Sequence, residues 1–99
     1  MIKVKNIAIQ SIRMGLYTEA EAILRNLVDT QCSSIGLLNE ETLASIELWS
    51  ETLALLERWK HLDEVVELLA TAERTVPSDQ LHTTLVFVKA MQGLQRKSS

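Results

Sequence analysis

Two histidines, one cysteine and a few adjacent acids are the residues of this chain that could do chemistry. A zinc site on a helix needs converging ligands, commonly three or four residues apart. His61 and His82 each lack a second histidine or cysteine at that spacing, so no metal site is expected. The adjacent carboxylates Glu40-Glu41 and Asp63-Glu64 stand where helices are expected to begin. There they suit the positive end of a helix dipole better than acid–base work. Cys32 reads as a small core or boundary residue. Trp49 and Trp59 read as core residues rather than stacking platforms. The chain has no glycine-rich phosphate loop and no arguable Ser/His/Asp set. No catalytic residue and no cofactor is expected, and the chain is not read as an enzyme.

The elements must then do the work. The chain has 99 residues, 46% of them hydrophobic but only 4% aromatic, with three glycines and one proline. Leu, Glu and Ala dominate, a composition that favours helices in a single small domain over residues 1–99. A single cysteine allows no internal disulfide, so a reducing compartment, the cytoplasm, is expected. No apolar run is long enough to span a bilayer, and no membrane partner is expected. The opening "MIKVKNIAIQSIRMG" interleaves basic and apolar residues and is not read as a signal peptide. The net charge of −3 argues against nucleic acid. That charge is uneven: residues 1–17 carry +3, residues 18–74 carry −8 and residues 75–99 carry +2. Basic ends around an acidic middle favour head-to-tail association, a homo-oligomer, unless the charge is merely solvated.

"GLYTEAEAIL" (15–24) and "RWKHLDEVVELL" (58–69) are read as one unit written twice. Tyr17 and Trp59 lie 42 positions apart, and the same offset aligns Val4 with Ile46 and Val88. It also aligns Ile7 with Trp49 and Met91, Ala8 with Ser50, Leu24 with Val66, Leu27 with Leu69, and Thr42-Leu43 with Thr84-Leu85. Agreement at this many positions marks an internal repeat.

Each unit reads as two helices. Val4, Ile7, Ala8 and Ile12 make the inner stripe of the first, which Gly15 closes. Thr18 and Glu21 are spaced as a capping box for the second, whose buried stripe is Ala20, Ile23, Leu24, Leu27 and Val28. Asn39 caps the third helix, with Leu43, Ile46, Trp49, Ser50, Leu53 and Leu56 inward. A break is placed at Lys60 and His61, followed by Leu62, Val65, Val66, Leu69 and Ala72 on the inner face of a fourth helix. Pro77 and Ser78 stop it and cap a fifth, from about Asp79 to Gln95. The small residues Ala8 and Ser50 are expected where two helices approach most closely.

"MGLYTEAEAIL" and "ERWKHLDEVVEL" resemble the turn between the two helices of a tetratricopeptide repeat, with Gly15, Tyr17, Glu19 and Ala20 where that motif expects them. The long period and "GLLNEETLASI" look like the repeats of kinesin light chains and of fungal nucleotide-switch receptors of the NB-ARC-associated type; Gly36, Thr42, Leu43 and Ser45 match that inter-repeat loop. In the second turn Glu57 replaces the glycine and Leu62 the alanine. The resemblance implies an all-α, right-handed helical-hairpin solenoid of about two and a half repeats: residues 2–35, 39–76 and a closing helix over 79–96. Its structural core would include Gly15, Tyr17, Ala20, Trp49, Trp59 and Leu62.

The resemblance further implies that the odd-numbered helices line a concave groove for a peptide or helix of another protein. The groove positions are Ile2, Lys5, Asn6, Ile9 and Arg13 on the first helix, and Glu47, Leu48, Glu51 and Leu55 on the third. On the fifth they are Val86, Lys89, Gly93 and Arg96. Asn6 matches a peptide-clamping asparagine of the family, but Leu48 and Ala90 take its place in the later units, so the polar clamp is incomplete. Ile9, Leu48 and Leu55 point instead to an apolar floor suited to an amphipathic helix. "LVFV" (85–88) is apolar on consecutive positions, which a one-sided surface helix does not need. A further repeat or another copy covers it, or Val86 and Phe87 form a partner patch. The expected function is thus a protein-binding scaffold; the alternatives are a self-assembling unit of a longer or oligomeric solenoid, and a small chaperone of a secretion-system subunit.

Overall fold

The computed structural model describes the backbone of residues 2–98 and the side chains of residues 4–95. Among the described residues there are five α-helices and no strand: α1 (Ile2–Arg13), α2 (Tyr17–Ser34), α3 (Glu40–Leu55), α4 (Trp59–Thr75) and α5 (Asp79–Ser98). Short connections force successive helices to fold back on each other. Helix α2 packs on α1 and α3, α4 packs on α3 and α5, and α3 also packs on α5. The Cα atoms fill a slab of 37 × 36 × 17 Å, whose thin dimension is about two helix layers.

The two turns inside the hairpins are built alike. After α1, the Gly15 N–H donates to the Ile12 carbonyl at 3.0 Å and the Leu16 N–H to the Ser11 carbonyl at 2.8 Å. After α3, the Glu57 N–H donates to Ala54 at 3.0 Å and the Arg58 N–H to Leu53 at 2.9 Å, each atom 42 residues further on. This paired closure satisfies the orphan carbonyls of a helix end and needs a left-handed residue. Gly15 has φ of 80° and Glu57 has φ of 57°. Glycine adopts that conformation freely, whereas a Cβ crowds the following carbonyl. Glu57→Gly is therefore expected to raise stability by about 1 kcal/mol, while Glu57→Ala should gain nothing. Urea unfolding of the two variants checks this, and equal midpoints would remove strain at Glu57 as the cause.

The other boundaries follow the local chemistry read from the sequence. Gly36, at φ of 91°, ends α2, with its N–H on the Gln31 carbonyl at 2.9 Å. The Asn39 side chain accepts the Glu41 N–H at 2.9 Å to open α3. Ser78, just after Pro77, accepts the Leu81 N–H at 3.4 Å to open α5. Two boundaries differ. Thr18 is not a cap: α2 begins at Tyr17, and the preceding Leu16 offers no side-chain acceptor. The break before α4 lies at Leu56 to Arg58, so Lys60 and His61 belong to the first turn of α4. The reason is shared, since the paired carbonyl closures at Gly15 and Glu57 end α1 and α3, and the next helix begins two residues later in each case.

The core has two parts. Leu43, Ile46, Leu53, Leu62, Val65, Leu69, Leu81, Leu85 and Val88 belong to the larger, which ties α3, α4 and α5 together. Ala8, Leu24 and Leu27 form the smaller between α1 and α2. Each fully buried aliphatic side chain contributes roughly 1.5–3 kcal/mol. Trp49 packs against both parts. Ala8 and Ser50, 42 apart, are both completely buried, as close helix approach requires. Tyr17 is half-buried, Ala20 fully buried, and Trp59 packs against the larger part.

Four expectations are corrected. Val4 (38% exposed) and Ile7 (56% exposed) are not inward, although Ile46 is fully buried and Trp49 half-buried. Helix α2 covers that face of α3, and among the described residues no helix precedes α1 to cover its own. Phe87 is half-buried against the larger core, leaving Val86 (53% exposed) as the outward residue of "LVFV". The consecutive apolar residues reflect α5 touching both α3 and α4. Glu21 is not a cap partner but is 1% exposed inside the molecule. Its carboxylate accepts the Trp49 indole N–H at 2.9 Å and the Arg58 guanidinium at 2.8 Å, joining α2 to α3 and to the residue that leads into α4. Asp63, 42 residues later, accepts from the Gln92 amide of α5 at 2.6 Å rather than serving the start of α4.

Candidate functional site

Helix α3 is wrapped by α2, α4 and α5, and the spacing of its exposed positions shows where it stays open. Glu40, Glu51 and Leu55 are exposed and Ala44, Glu47 and Leu48 are half-buried. Steps of three, four and seven residues place these six on one face of a helix. Leu55 is 51% exposed on this strip. Leu48 is a shared residue, since it also packs against the α1–α2 cluster of Ala8, Leu24 and Leu27.

On the other expected groove positions, Lys5 and Ile9 of α1 are half-buried and Asn6 and Arg13 are exposed. On α5, Val86, Lys89 and Gly93 are exposed. The side chains of Ile2 and Arg96 lie outside the described residues. The structure adds a feature that the sequence reading did not assign. Between the first halves of α3 and α5 lies an open cavity of about 360 Å³, with Glu40, Ala44, Glu47, Asp79, Thr83 and Thr84 among its walls. The Glu47 carboxylate accepts the Thr84 hydroxyl at 2.8 Å and so fixes one side of this cavity. A signal was available, because Glu40 and Ala44 extend the Glu47–Glu51–Leu55 spacing by one turn. Glu40 had been absorbed by its role at the helix start.

The electrostatics are one-sided. Among the described residues, Glu40, Glu47, Glu51 and Asp79 take part in no ion pair. Glu47 and Glu51 are like charges four apart, an arrangement that mildly destabilises a helix by about 0.2–0.5 kcal/mol. The cations among the expected groove positions, Lys5, Arg13 and Lys89, belong to α1 and α5, and α3 itself carries none.

Among the described residues no group of His, Cys, Asp and Glu is arranged to hold a metal ion. Burial, with a smaller contribution from the charge of Asp29, pushes the Cys32 thiol pKa up, the opposite of an activated cysteine. His61 is half-buried on α4. His82 lies 2.8 Å from the Glu73 carboxylate, a contact between α5 and α4. No helix of the described residues is long and apolar enough to cross a membrane. No family model matches the chain, and neither the curated proteins nor the solved structures hold a match.

Proposed function

We propose that this chain is a non-catalytic protein-binding module, a right-handed tetratricopeptide-like stack of two and a half helical hairpins. It takes a peptide or an amphipathic helix of another protein along the open strip of α3. The observation that carries the reading is Leu55, half exposed on a helix that three others wrap. A solvent-facing leucine alone is ordinary; here it continues a strip of acidic and small apolar residues beside an open cavity. The two hairpin turns with the same hydrogen bonds 42 residues apart support the stacked-repeat architecture. Stacked hairpins leave one face open, and that face is their usual binding surface.

The clean test is Leu55→Glu, because Leu48 also serves the core and its loss would confuse binding with folding. A tagged chain is expected to retain a specific partner from native lysate, and Leu55→Glu to lose it with an unchanged helical circular dichroism spectrum. Retention by the variant would move the binding surface elsewhere. A second reading, a self-assembling unit, is favoured by Val4 and Ile7, apolar side chains exposed together on α1. Sedimentation decides between them: under self-assembly the mass of the purified chain rises with concentration, and under the first reading it stays monomeric.

A further inference from the structure

We propose that the occupant of the α3 strip is a cationic amphipathic helix, a segment that presents an apolar stripe edged by Lys or Arg. This rests on the protein-binding reading above and specifies its partner. The strip offers two kinds of chemistry in one line. Ala44, Leu48 and Leu55 supply apolar surface, and Glu40, Glu47 and Glu51 supply negative charge between them. From Glu40 to Leu55 the strip runs about 22 Å, the length of a four-turn helix. Helix α3 carries no Lys or Arg of its own: Lys5 and Arg13 belong to α1 and Lys89 to α5. A helix lying along α3 sets its own cations over these glutamates.

The unpaired state of the acids is the stronger argument. Four carboxylates on this surface have no cationic partner among the described residues, and two of them repel each other along α3. A bound Lys or Arg relieves that repulsion and adds attraction, whereas an acidic segment would deepen it. Asp79 extends the same field into the cavity beside Glu40 and Glu47, where one long cationic side chain fits with its methylenes on Leu43 and Ala44. Apolar contact gives the complex its area, and charge selects among amphipathic helices.

The test uses three fluorescent peptides of about 16 residues with the same leucine stripe, edged by Lys, by Gln or by Glu. Anisotropy titrations at about 50 mM salt are expected to show the Lys peptide binding about tenfold more tightly than the Gln peptide, and the Glu peptide weakest. Raising salt to about 500 mM should close most of that gap. The double variant Glu40→Gln, Glu51→Lys, altered only at exposed positions, should abolish the preference for the Lys peptide over the Gln peptide. Equal affinity for the Lys and Gln peptides, or a preference for Glu, overturns the cationic partner while the groove stands. If no peptide binds, or Leu55→Glu weakens none of them, the groove reading fails as well.

Discussion

Arg58→Ala lowers the stability of this chain by about 3 kcal/mol, the largest single-site loss expected outside the apolar core. The cause is the carboxylate it abandons. Glu21 is 1% exposed and receives one charged donor, Arg58, at 2.8 Å and one neutral donor, the Trp49 indole, at 2.9 Å. Arg25 stands further off, 3.8 Å away, with a half-exposed side chain. Removing one member of a buried pair commonly costs about 3–5 kcal/mol, because the remaining charge has lost water and partner together. Arg58 is itself 38% exposed, which sets the expectation at the lower end of that range. A domain this small should melt about 15 °C lower. The double variant Arg58→Ala, Glu21→Leu should recover about 2 kcal/mol of the loss, since no charge is then left buried. Thermal and urea unfolding of the four-member cycle measures the coupling. Additive losses would mean that the ion pair does not hold α2 against the α3–α4 turn.

Leu62→Ala costs a similar amount, about 3 kcal/mol, although it brings the second turn closer to the tetratricopeptide motif. Leu62 is completely buried in the larger core cluster, with Ile46, Leu53, Leu85 and Val88 among its members. Truncation removes the transfer energy of the missing carbons and leaves a cavity that five helices pinned by short turns can close only in part. Ala20, 42 residues earlier, is also completely buried, so an alanine is accommodated in the first hairpin. The second hairpin fills its space with a larger side chain. The pairing with Glu57→Gly is informative, because both changes bring in the residue that the resembled motif carries and their effects should have opposite signs. The glycine relieves backbone strain and the alanine empties a packed site. A loss below about 1 kcal/mol for Leu62→Ala would show that the surroundings collapse onto it easily.

The strip on α3 was half legible in the sequence. Glu47, Leu48, Glu51 and Leu55 were named from the resemblance, and the spacing of exposed positions places all four on one face with Glu40 and Ala44. The cavity walls from α5, Asp79, Thr83 and Thr84, were not. They depend on how α5 lies across α3, a relation between residues some 37 positions apart, and no local pattern encodes it. Phe87 is half-buried for a related reason. Four apolar residues in a row show only that a helix is covered on more than one side, and here α3 and α4 supply the cover.

What the sequence by itself determined is the set of helices and the chemistry of most of their ends. Gly15, Gly36, Asn39, Pro77 and Ser78 act within a few residues of themselves, so their effects can be read without knowing the fold. The 42-residue offset likewise identified matched turns, because those turns are closed by backbone groups five residues apart or fewer. What only the tertiary structure decided is which equivalent residues share an environment. Ile7 and Trp49 are 42 positions apart, but among the described residues Trp49 is packed against the core and Ile7 is exposed. Glu21 reads as a cap in a linear string and becomes a buried anchor once Trp49 and Arg58 are brought to it. Capping energies are local, whereas burial and charge compensation depend on whatever element arrives from elsewhere in the chain.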